Sequence, residues 1–293
     1  MPSRRFPYVQ VDVFTSRALE GNALAVFTDA RGLSAGEMQA VARETNLSET
    51  TFVLPDPSAP PGAPVRVRIF TVGEEVPFAG HPTLGTAFVL RGPRRAREVV
   101  LALGVGAIPV RFEDRADGTF GEMRQRDPVF GRVHAPADVA GALGLAVGDL
   151  DGAAPVQTVS TGLPFAIVPV RSLATLRGLR PDWARAAAYL AGTDAHFFYL
   201  VSRETEDPAS GLHARMIFYG GEDPATGSAA GCCAAWLVRH GLAAPGETVV
   251  LEQGAEVRRP SRIVVRAGGS RDAVSDVHVG GHVVEAARGE LAL

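Results

Sequence analysis

Alternating apolar and polar positions predict short β-strands along most of this chain. The run P-Y-V-Q-V-D-V at 7–13 has the two-residue period of a half-buried strand. Similar runs, bounded by Gly and Pro, predict further strands near 22–28, 50–54, 65–71, 98–102, 107–113, 119–124, 155–160, 165–170, 196–203, 213–218, 247–252, 261–266, 274–280 and 282–286. The pattern therefore indicates a sheet-rich protein.

Helical patterns separate the strands at only a few places. Ser34 and Glu37 form a capping-box pattern, which predicts a helix that runs from there to about Thr45 and ends at Asn46. Further helices are predicted at 82–91, at 136–142, at 181–190 and from Pro224 onward. Few of the strands are followed by a helix, so the chain fits an α+β protein better than a doubly wound parallel sheet.

One short pattern occurs twice and suggests an internal duplication. H-P-T-L-G-T-A begins at His81, and D-P-A-T-G-S-A begins at Asp223, 142 positions later in a chain of 293 residues. In each copy a polar residue in the N-cap place precedes a Pro, which is favoured at the first helical position. Each predicted helix then runs to a Gly, Gly92 or Gly241, suited to a left-handed residue at the helix end.

The residues around the two copies support two equivalent halves. R-I-F lies upstream of the first copy at 68–70, and R-M-I-F lies upstream of the second at 215–218. We therefore predict two pseudo-symmetric lobes, residues 1–128 and 129–281, with a linker that begins at Asp127-Pro128 and runs to His134. Two helix N-termini with small residues in the first turn offer backbone N–H groups to an anion, so a charged small molecule is expected between the lobes.

The composition is that of a soluble globular protein and excludes several kinds of chemistry. The apolar fraction is 46%, the charged fraction is 21% and the net charge is −3, which gives no reason to expect nucleic acid or an anionic membrane as a partner. No apolar stretch approaches the roughly 20 residues of a membrane helix, and the first residues lack a secretory apolar core, so a cytoplasmic location is expected. All 29 basic residues are Arg, which excludes a Schiff-base lysine, a pyridoxal phosphate anchor and a Walker-type lysine.

The two cysteines, Cys232 and Cys233, are adjacent in the chain. This spacing fits neither a disulfide framework nor a C-x-x-C metal site. Both fall among Ala and Gly in the helix predicted from Pro224, so we expect them to be buried helix residues.

His81 and Asp223 are the polar residues that open the two copies of the repeated pattern. Asp is among the best N-cap residues, so Asp223 fits a purely structural role, although Gly220 and Gly221 would let a ligand approach it. His81 is a less usual N-cap, and a neutral imidazole beside a positive helix end should have a lowered pKa. A His and an Asp that face each other across a cleft could also handle protons or fix a substrate.

Several motifs together resemble the phenazine biosynthesis PhzF-like family. They are V-D-V-F at 11–14, G-N-A-L-A-V-F at 21–27, N-L-S-E-T-T-F at 46–52, R-I-F-T at 68–71, P-F-A-G-H-P-T-L-G-T at 77–86, E-D-P-A-T-G-S-A at 222–229, and Q-G with R-P-S within 253–261. The resemblance implies a fold similar to diaminopimelate epimerase: two pseudo-symmetric lobes, each an antiparallel sheet around a central helix, with the active site between them. It implies that a C-terminal strand, about 282–293, returns to the first lobe. It also implies a homodimer without a cofactor.

The same resemblance implies roles for particular residues. Glu49 would be the general acid/base that moves a proton between substrate carbons, and His81 and Asp223 would hydrogen-bond the substrate and could assist. The substrate's carboxylate would be held, through backbone N–H groups and a hydroxyl, by Gly80, Gly227 and Ser228. We therefore expect a cofactor-independent isomerase that acts on a small carboxylate.

Other functions stay open at this point. A non-catalytic protein that binds a small metabolite could use the same scaffold, although the presence of Glu49 favours the isomerase. A hydrolase built from Ser228, His81 and Asp223 lacks the G-x-S-x-G pattern, and a metal site built from His81, Asp223 and Glu49 lacks H-x-x-x-H spacing.

Racemases of the implied fold use one thiol at each helix start. The two starts here, A-G-H-P and E-D-P-A, contain no sulfur, so a two-thiol racemase is not expected. The loop that runs from Phe218 to Asp223 is shorter than the family pattern, which bears on the identity of the substrate.

Overall fold

The computed structural model describes residues 4–60, 62–92, 95–218 and 221–293. They form two units: the first contains the described residues up to Arg124 together with Gly280–Leu293, and the second contains Gln125–Val279. No helix within the described residues has both the length and the apolar character that crossing a membrane requires.

The first unit contains eight strands and two helices of its own within the described residues. They are β1 (Arg5–Val13), β2 (Asn22–Phe27), α1 (Ala35–Thr45), β3 (Glu49–Leu54), β4 (Val65–Thr71), β5 (Glu75–Val76), α2 (Gly80–Arg91), β6 (Glu98–Leu103), β7 (Gly106–Arg115) and β8 (Gly118–Arg124). β1 pairs antiparallel with β2 and with the chain's last strand, from Val283 to Ala292. β2 pairs parallel with β3, β3 antiparallel with β4, and β4 antiparallel with β5 and parallel with β6. β6, β7 and β8 then form an antiparallel meander.

The centre of this unit is α2, which contacts β1, β2, β3, β6, β7 and β8. Its residues from Gly80 to Ala87 are all buried, so the helix has no solvent face over its first two turns. Gly85 lets the helix lie close to the sheet, since a Cβ there would be 2.7 Å from Leu24 Cδ2 and 2.9 Å from Val13 Cγ2. This close approach fixes the helix N-terminus against the strands.

The second unit contains eight strands and four helices of its own, again counted over the described residues. They are β9 (Val129–Val133), α3 (Pro136–Leu143), β10 (Gln157–Ser160), β11 (Pro164–Pro169), α4 (Leu173–Gly178), α5 (Trp183–Ala191), β12 (Phe197–Ser202), β13 (Leu212–Phe218), β14 (Gly221–Asp223), α6 (Gly227–Arg239), β15 (Val249–Gln253) and β16 (Ser261–Gly269). Short 3₁₀ turns lie at Val147–Asp149 and Ala255–Val257. The last strand, β17 (Val274–Ala292), begins in this unit and ends in the first.

The strand pairings of the second unit repeat those of the first in the same order. β10 pairs antiparallel with β11, β11 parallel with β12, and β12 antiparallel with β13. β13 pairs antiparallel with β14 and parallel with β15, and β15 pairs antiparallel with β16. α6 therefore lies between β14 and β15, just as α2 lies between β5 and β6, and this equivalence supports the duplication.

The structure corrects the expectation of an antiparallel sheet in each lobe, because each unit has a mixed sheet with two parallel pairs. The parallel partners β2 and β3, β4 and β6, β11 and β12, and β13 and β15 are each joined through at least one helix. Parallel neighbours need a crossover connection, and the helices supply it.

The helix starts also differ from the prediction. α2 begins at Gly80 after the N-cap Ala79, and α6 begins at Gly227 after the N-cap Thr226. His81 is thus the second residue of its helix and corresponds to Ser228, whereas Asp223 ends β14 and caps neither helix. The structural repeat is 147 residues, not the 142 of the sequence pattern.

Three smaller predictions are corrected as well. The predicted linker before His134 contains strand β9, which pairs with β10, and α4 was not predicted. The two last predicted strands form one continuous strand, β17.

At the helix ends, Gly241 has the expected positive φ of 70°, but Gly92 combines φ 57° with ψ −165° and is not left-handed helical. The short loop after Phe218 includes residues 219 and 220, which lie outside the described residues.

Candidate active site

Glu49 is placed by a helix end that the sequence encodes. The capping box of Ser34 and Glu37 begins α1, and Asn46, at φ 50° and ψ 36°, ends it in the left-handed conformation, as predicted. Three residues later β3 starts at Glu49, opposite Leu24 of β2 and Thr71 of β4. Its side chain is 18% exposed.

His81 lies in the first turn of α2, and its side chain is only 4% exposed. Burial lowers the pKa of His81 to about 3, because the imidazolium form would lose its hydration. The imidazole is therefore neutral at physiological pH. The sequence predicted the lowered pKa from the helix end, but burial is the physical cause.

The structure brings Glu49 and His81 together within the first unit. Glu49 Oε2 is 3.6 Å from His81 Nε2, which is buried and makes no hydrogen bond to any described residue. Since the imidazole is neutral, the contact is not an ion pair. A separation of 3.6 Å exceeds a hydrogen bond, yet one substrate atom could lie within hydrogen-bond distance of both groups.

A buried hydroxyl pair holds the two elements that carry these side chains. Thr86 Oγ1 of α2 donates a 2.8 Å hydrogen bond to Thr51 Oγ1 of β3, and both residues are fully buried. Thr51 is two residues from Glu49, so both side chains point to the same face of β3. The strand and the helix are thus tied together close to the Glu49–His81 pair.

A second polar cluster, in the second unit, surrounds Asp223. Thr226 Oγ1 donates a 2.6 Å hydrogen bond to Asp223 Oδ2, and the amide of Gln253 reaches both residues. β14, which ends at Asp223, is held by the salt bridge between Arg215 and Glu222, with Nη2–Oε2 at 2.6 Å and both side chains less than 10% exposed.

The helix starts that were predicted to bind a carboxylate are placed one in each unit. Gly80 is the first residue of α2, and Gly227 and Ser228 are the first two residues of α6. The first N–H groups of a helix have no intrahelical partner, so both starts can donate to an anion. Gln125 Nε2 donates to the carbonyl oxygen of Gly227 at 2.9 Å, which fixes the start of α6.

The structure confirms the prediction that both cysteines are buried in a helix. Cys232 and Cys233 lie in α6 with 0% exposure. Burial raises the pKa of the Cys232 thiol to about 11 and that of Cys233 further. Among the described residues there is no group of three or more His, Cys, Asp or Glu side chains arranged to hold a metal ion.

Three polar residues near Asp223 were missed from the sequence: Thr226, Gln253 and Ser261. Ser261 Oγ contacts the carbonyl oxygens of Pro224 and Gln253, both at 2.9 Å. A signal was present, because the Q-G and R-P-S motifs contain two of these residues and the A-T-G motif contains the third, but their contacts depend on long-range pairing.

Comparison with known proteins places this chain in a family. The model for phenazine biosynthesis-like proteins, PhzC-PhzF, matches residues 11–289. The chain is 36% identical to trans-2,3-dihydro-3-hydroxyanthranilate isomerase of Pseudomonas aeruginosa, covering 98% of this chain and 99% of the relative. It is 37% identical to an uncharacterized isomerase of Mesorhizobium japonicum, covering 97% and 98%.

Solved structures agree with the sequence comparisons. A predicted epimerase from Pseudomonas aeruginosa is 39% identical with a TM-score of 0.82, covering 98% of this chain and 99% of that one. A PhzF-family phenazine biosynthesis protein of Bacillus anthracis is 26% identical with a TM-score of 0.86, covering 99% and 100%. A probable proline racemase from Agrobacterium radiobacter, 12% identical with a TM-score of 0.64 over 98% and 93%, is similar in fold. The chain therefore belongs to the phenazine biosynthesis-like PhzC-PhzF family and is an isomerase.

Proposed function

We propose that this isomerase needs no cofactor and moves a proton between carbons of a small carboxylate substrate, with Glu49 as the general acid/base. The observation that carries the proposal is the 3.6 Å approach of the Glu49 carboxylate to a buried, neutral His81 at the start of α2. A carboxylate in that setting can accept a proton, and the neutral imidazole can form a hydrogen bond to the same substrate atom.

The reaction balances without another reactant. Glu49 takes a proton from one substrate carbon, and the electron pair of the C–H bond spreads into the adjacent unsaturated system. The same carboxyl group then returns the proton to a different carbon. The developing negative charge would be stabilised by donors already in place, which are His81 and the N–H groups of Gly80 and its neighbour.

We assign substrate binding in the second unit to Asp223, Gly227 and Ser228. Gly227 and Ser228 lie in the first turn of α6, where backbone N–H groups have no intrahelical partner, and this supports their assignment. Asp223 ends β14, four residues before that helix begins, and this supports its assignment. The first substrate to test is trans-2,3-dihydro-3-hydroxyanthranilate, since a relative 36% identical over nearly the whole chain carries that name.

The repeated order of strand pairings and the likeness to a probable proline racemase support a diaminopimelate epimerase-like fold of two pseudo-symmetric lobes. A homodimer is proposed from the family resemblance alone. Sedimentation velocity tests it, and a monomer at micromolar concentration would contradict it.

Deuterium uptake from D₂O tests the function directly. Wild type should incorporate deuterium into trans-2,3-dihydro-3-hydroxyanthranilate or into another small carboxylate of a panel that includes amino acids. Glu49→Gln should not. A chelator should leave the rate unchanged. No uptake in any compound, despite measurable binding, would instead favour a non-catalytic binding protein.

A further inference from the structure

The side-chain amide of Gln253 is buried beside Asp223, and every one of its hydrogen-bonding positions is used. Gln253 is 1% exposed. Its Nε2 donates to the carbonyl oxygen of Asp223 at 2.7 Å and to Thr226 Oγ1 at 3.0 Å. Its Oε1 accepts from the backbone N–H of Thr226 at 3.2 Å and from the Tyr199 hydroxyl at 3.1 Å. Two donors and two acceptor positions exhaust the capacity of an amide.

These partners allow the amide only one orientation. The N–H of Thr226 can only donate and the carbonyl of Asp223 can only accept, so Oε1 and Nε2 cannot exchange places. Tyr199 agrees with this orientation, because burial raises its pKa well above 10 and keeps the hydroxyl hydrogen available to Oε1. The amide nitrogen therefore always faces Thr226 Oγ1.

The orientation of Gln253 decides that of the Thr226 hydroxyl. Since Thr226 Oγ1 accepts from Gln253, its own hydrogen is available for Asp223 Oδ2, which lies at 2.6 Å. A hydroxyl hydrogen directed at a carboxylate favours the ionised form of that carboxylate. With its hydrogen on Asp223 Oδ2, the Thr226 hydroxyl favours Asp223 as an acceptor toward a bound group.

The segment that carries Gln253 is itself fixed at both ends. Gly254, at φ 88°, lies so close to Arg259 and Pro224 that a Cβ would be 2.3 Å and 2.4 Å from their carbonyl oxygens. On either side of that Gly, Glu252 and Glu256 both hydrogen-bond His213, at 2.8 Å and 2.9 Å. The amide of Gln253 therefore has little freedom to leave its place.

We propose that Gln253 and Thr226 are positioning residues that direct a hydroxyl hydrogen onto Asp223, so that Asp223 selects a substrate bearing an N–H or O–H donor beside its carboxylate. The inference rests on the proposed function only in assigning Asp223 to the substrate. It adds a chemical reason for selectivity among small carboxylates.

Anthranilate and benzoate test this selectivity without any turnover, because they differ only by one amino group. Calorimetric titration of wild type should show tighter binding of anthranilate than of benzoate. Thr226→Val keeps the shape of the side chain and removes the hydroxyl, so the preference should fall about tenfold, and Thr226→Ser should restore it. Gln253→Glu cannot donate to Thr226 and should lower the preference as well.

The outcomes separate the two proposals. The inference would be overturned if wild type and Thr226→Val, both folded by near-ultraviolet circular dichroism, preferred anthranilate over benzoate by the same factor. It would also be overturned if wild type bound the two compounds equally or bound neither. If Thr226→Val does not fold, Thr226→Ala removes the same hydroxyl. Absence of deuterium uptake in wild type would count against the proposed function and leave this binding ratio as an independent result. In the exchange assay, Thr226→Val should raise KM by a larger factor than it lowers kcat.

Discussion

The carboxylate of Glu49 and the imidazole of His81 approach to 3.6 Å within the first unit, one at the start of a strand and the other in the first turn of a buried helix. Burial keeps His81 neutral, so the contact between the two side chains is not an ion pair. A base beside a neutral hydrogen-bonding group, with helix N–H groups close by, suits proton transfer at carbon.

Replacing Glu49 should remove turnover while leaving the fold intact. Glu49→Gln keeps the size of the side chain but cannot take up a proton, so the exchange rate should fall by about 10²–10⁴-fold or more. Thermal shift with the same substrate should still report binding. The matched control is Glu44→Gln, an exposed residue of α1, which should keep the wild-type rate. Loss of binding in Glu49→Gln would make Glu49 a binding or structural residue.

His81 should stay neutral through the pH range in which histidine normally titrates. Its pKa is lowered to about 3 by burial, so ¹⁵N chemical shifts of its ring should show the neutral form at every pH above about 4. In the unfolded chain the imidazole of His81 takes up a proton near pH 6.5, whereas in the folded chain it does not. Lowering the pH below 6.5 therefore lowers the free energy of unfolding. A ring that charges near pH 6.5 would contradict the burial.

Neither cysteine should be needed for activity. Burial raises the pKa of the Cys232 thiol to about 11, so almost no thiolate is present at neutral pH. Cys232→Ser and Cys232→Ala should both keep the exchange rate within a few-fold of wild type, the alanine variant serving as control for the new hydroxyl. An inactive but folded Cys232→Ala would restore a thiol mechanism.

The cluster formed by His213, Glu252 and Glu256 should give the protein a pH optimum of stability. Burial alone would lower the pKa of His213, but hydrogen bonds to Glu256 and Glu252 outweigh it and raise the pKa above 6.5. The stabilisation from this imidazolium is complete below pH 6.5 and is lost as the pH rises through the raised value. The pKa values of Glu252 and Glu256 are lowered from 4.5 despite burial, so their contribution is lost as the pH falls through those lowered values.

Urea unfolding at pH 5.5 and pH 8.5 measures this effect. His213→Gln leaves two carboxylates without their cation and should lower the free energy of unfolding at pH 5.5 by about 3 kcal/mol, with a smaller difference from wild type at pH 8.5. The exposed His196→Gln is the control and should follow wild type at both pH values. Parallel behaviour of His213→Gln and wild type would show that the cluster carries no charge.

The close approach of α2 to its sheet should make Gly85 intolerant of a side chain. Gly85→Ala would place a methyl group within 3 Å of Leu24 and Val13 and should cost about 1–3 kcal/mol. Gly141→Ala, in α3 with open space around its Cβ position, should be neutral or stabilising. Equal urea midpoints for the two variants would show that the helix can move away from the strands.

Local signals in the sequence determined most of the secondary structure. The period-two runs gave strands such as β4 with its predicted bounds, and Ser34, Glu37 and Asn46 marked both ends of α1, because capping is a property of neighbouring residues. The absence of Lys and the adjacency of the cysteines excluded whole classes of chemistry. The order of motifs identified the family.

The tertiary structure decided the pairing of strands and the true start of each central helix. The repeated polar-Pro pattern pointed to helix N-caps at His81 and Asp223, yet α6 begins only at Gly227. Gln253, distant in sequence, accepts a hydrogen bond from the N–H of Thr226, the residue before that helix. The burial that makes His81 neutral and the contacts that orient the Thr226 hydroxyl also arise from residues far apart in the chain. Such contacts depend on long-range packing, which no local pattern in the sequence encodes.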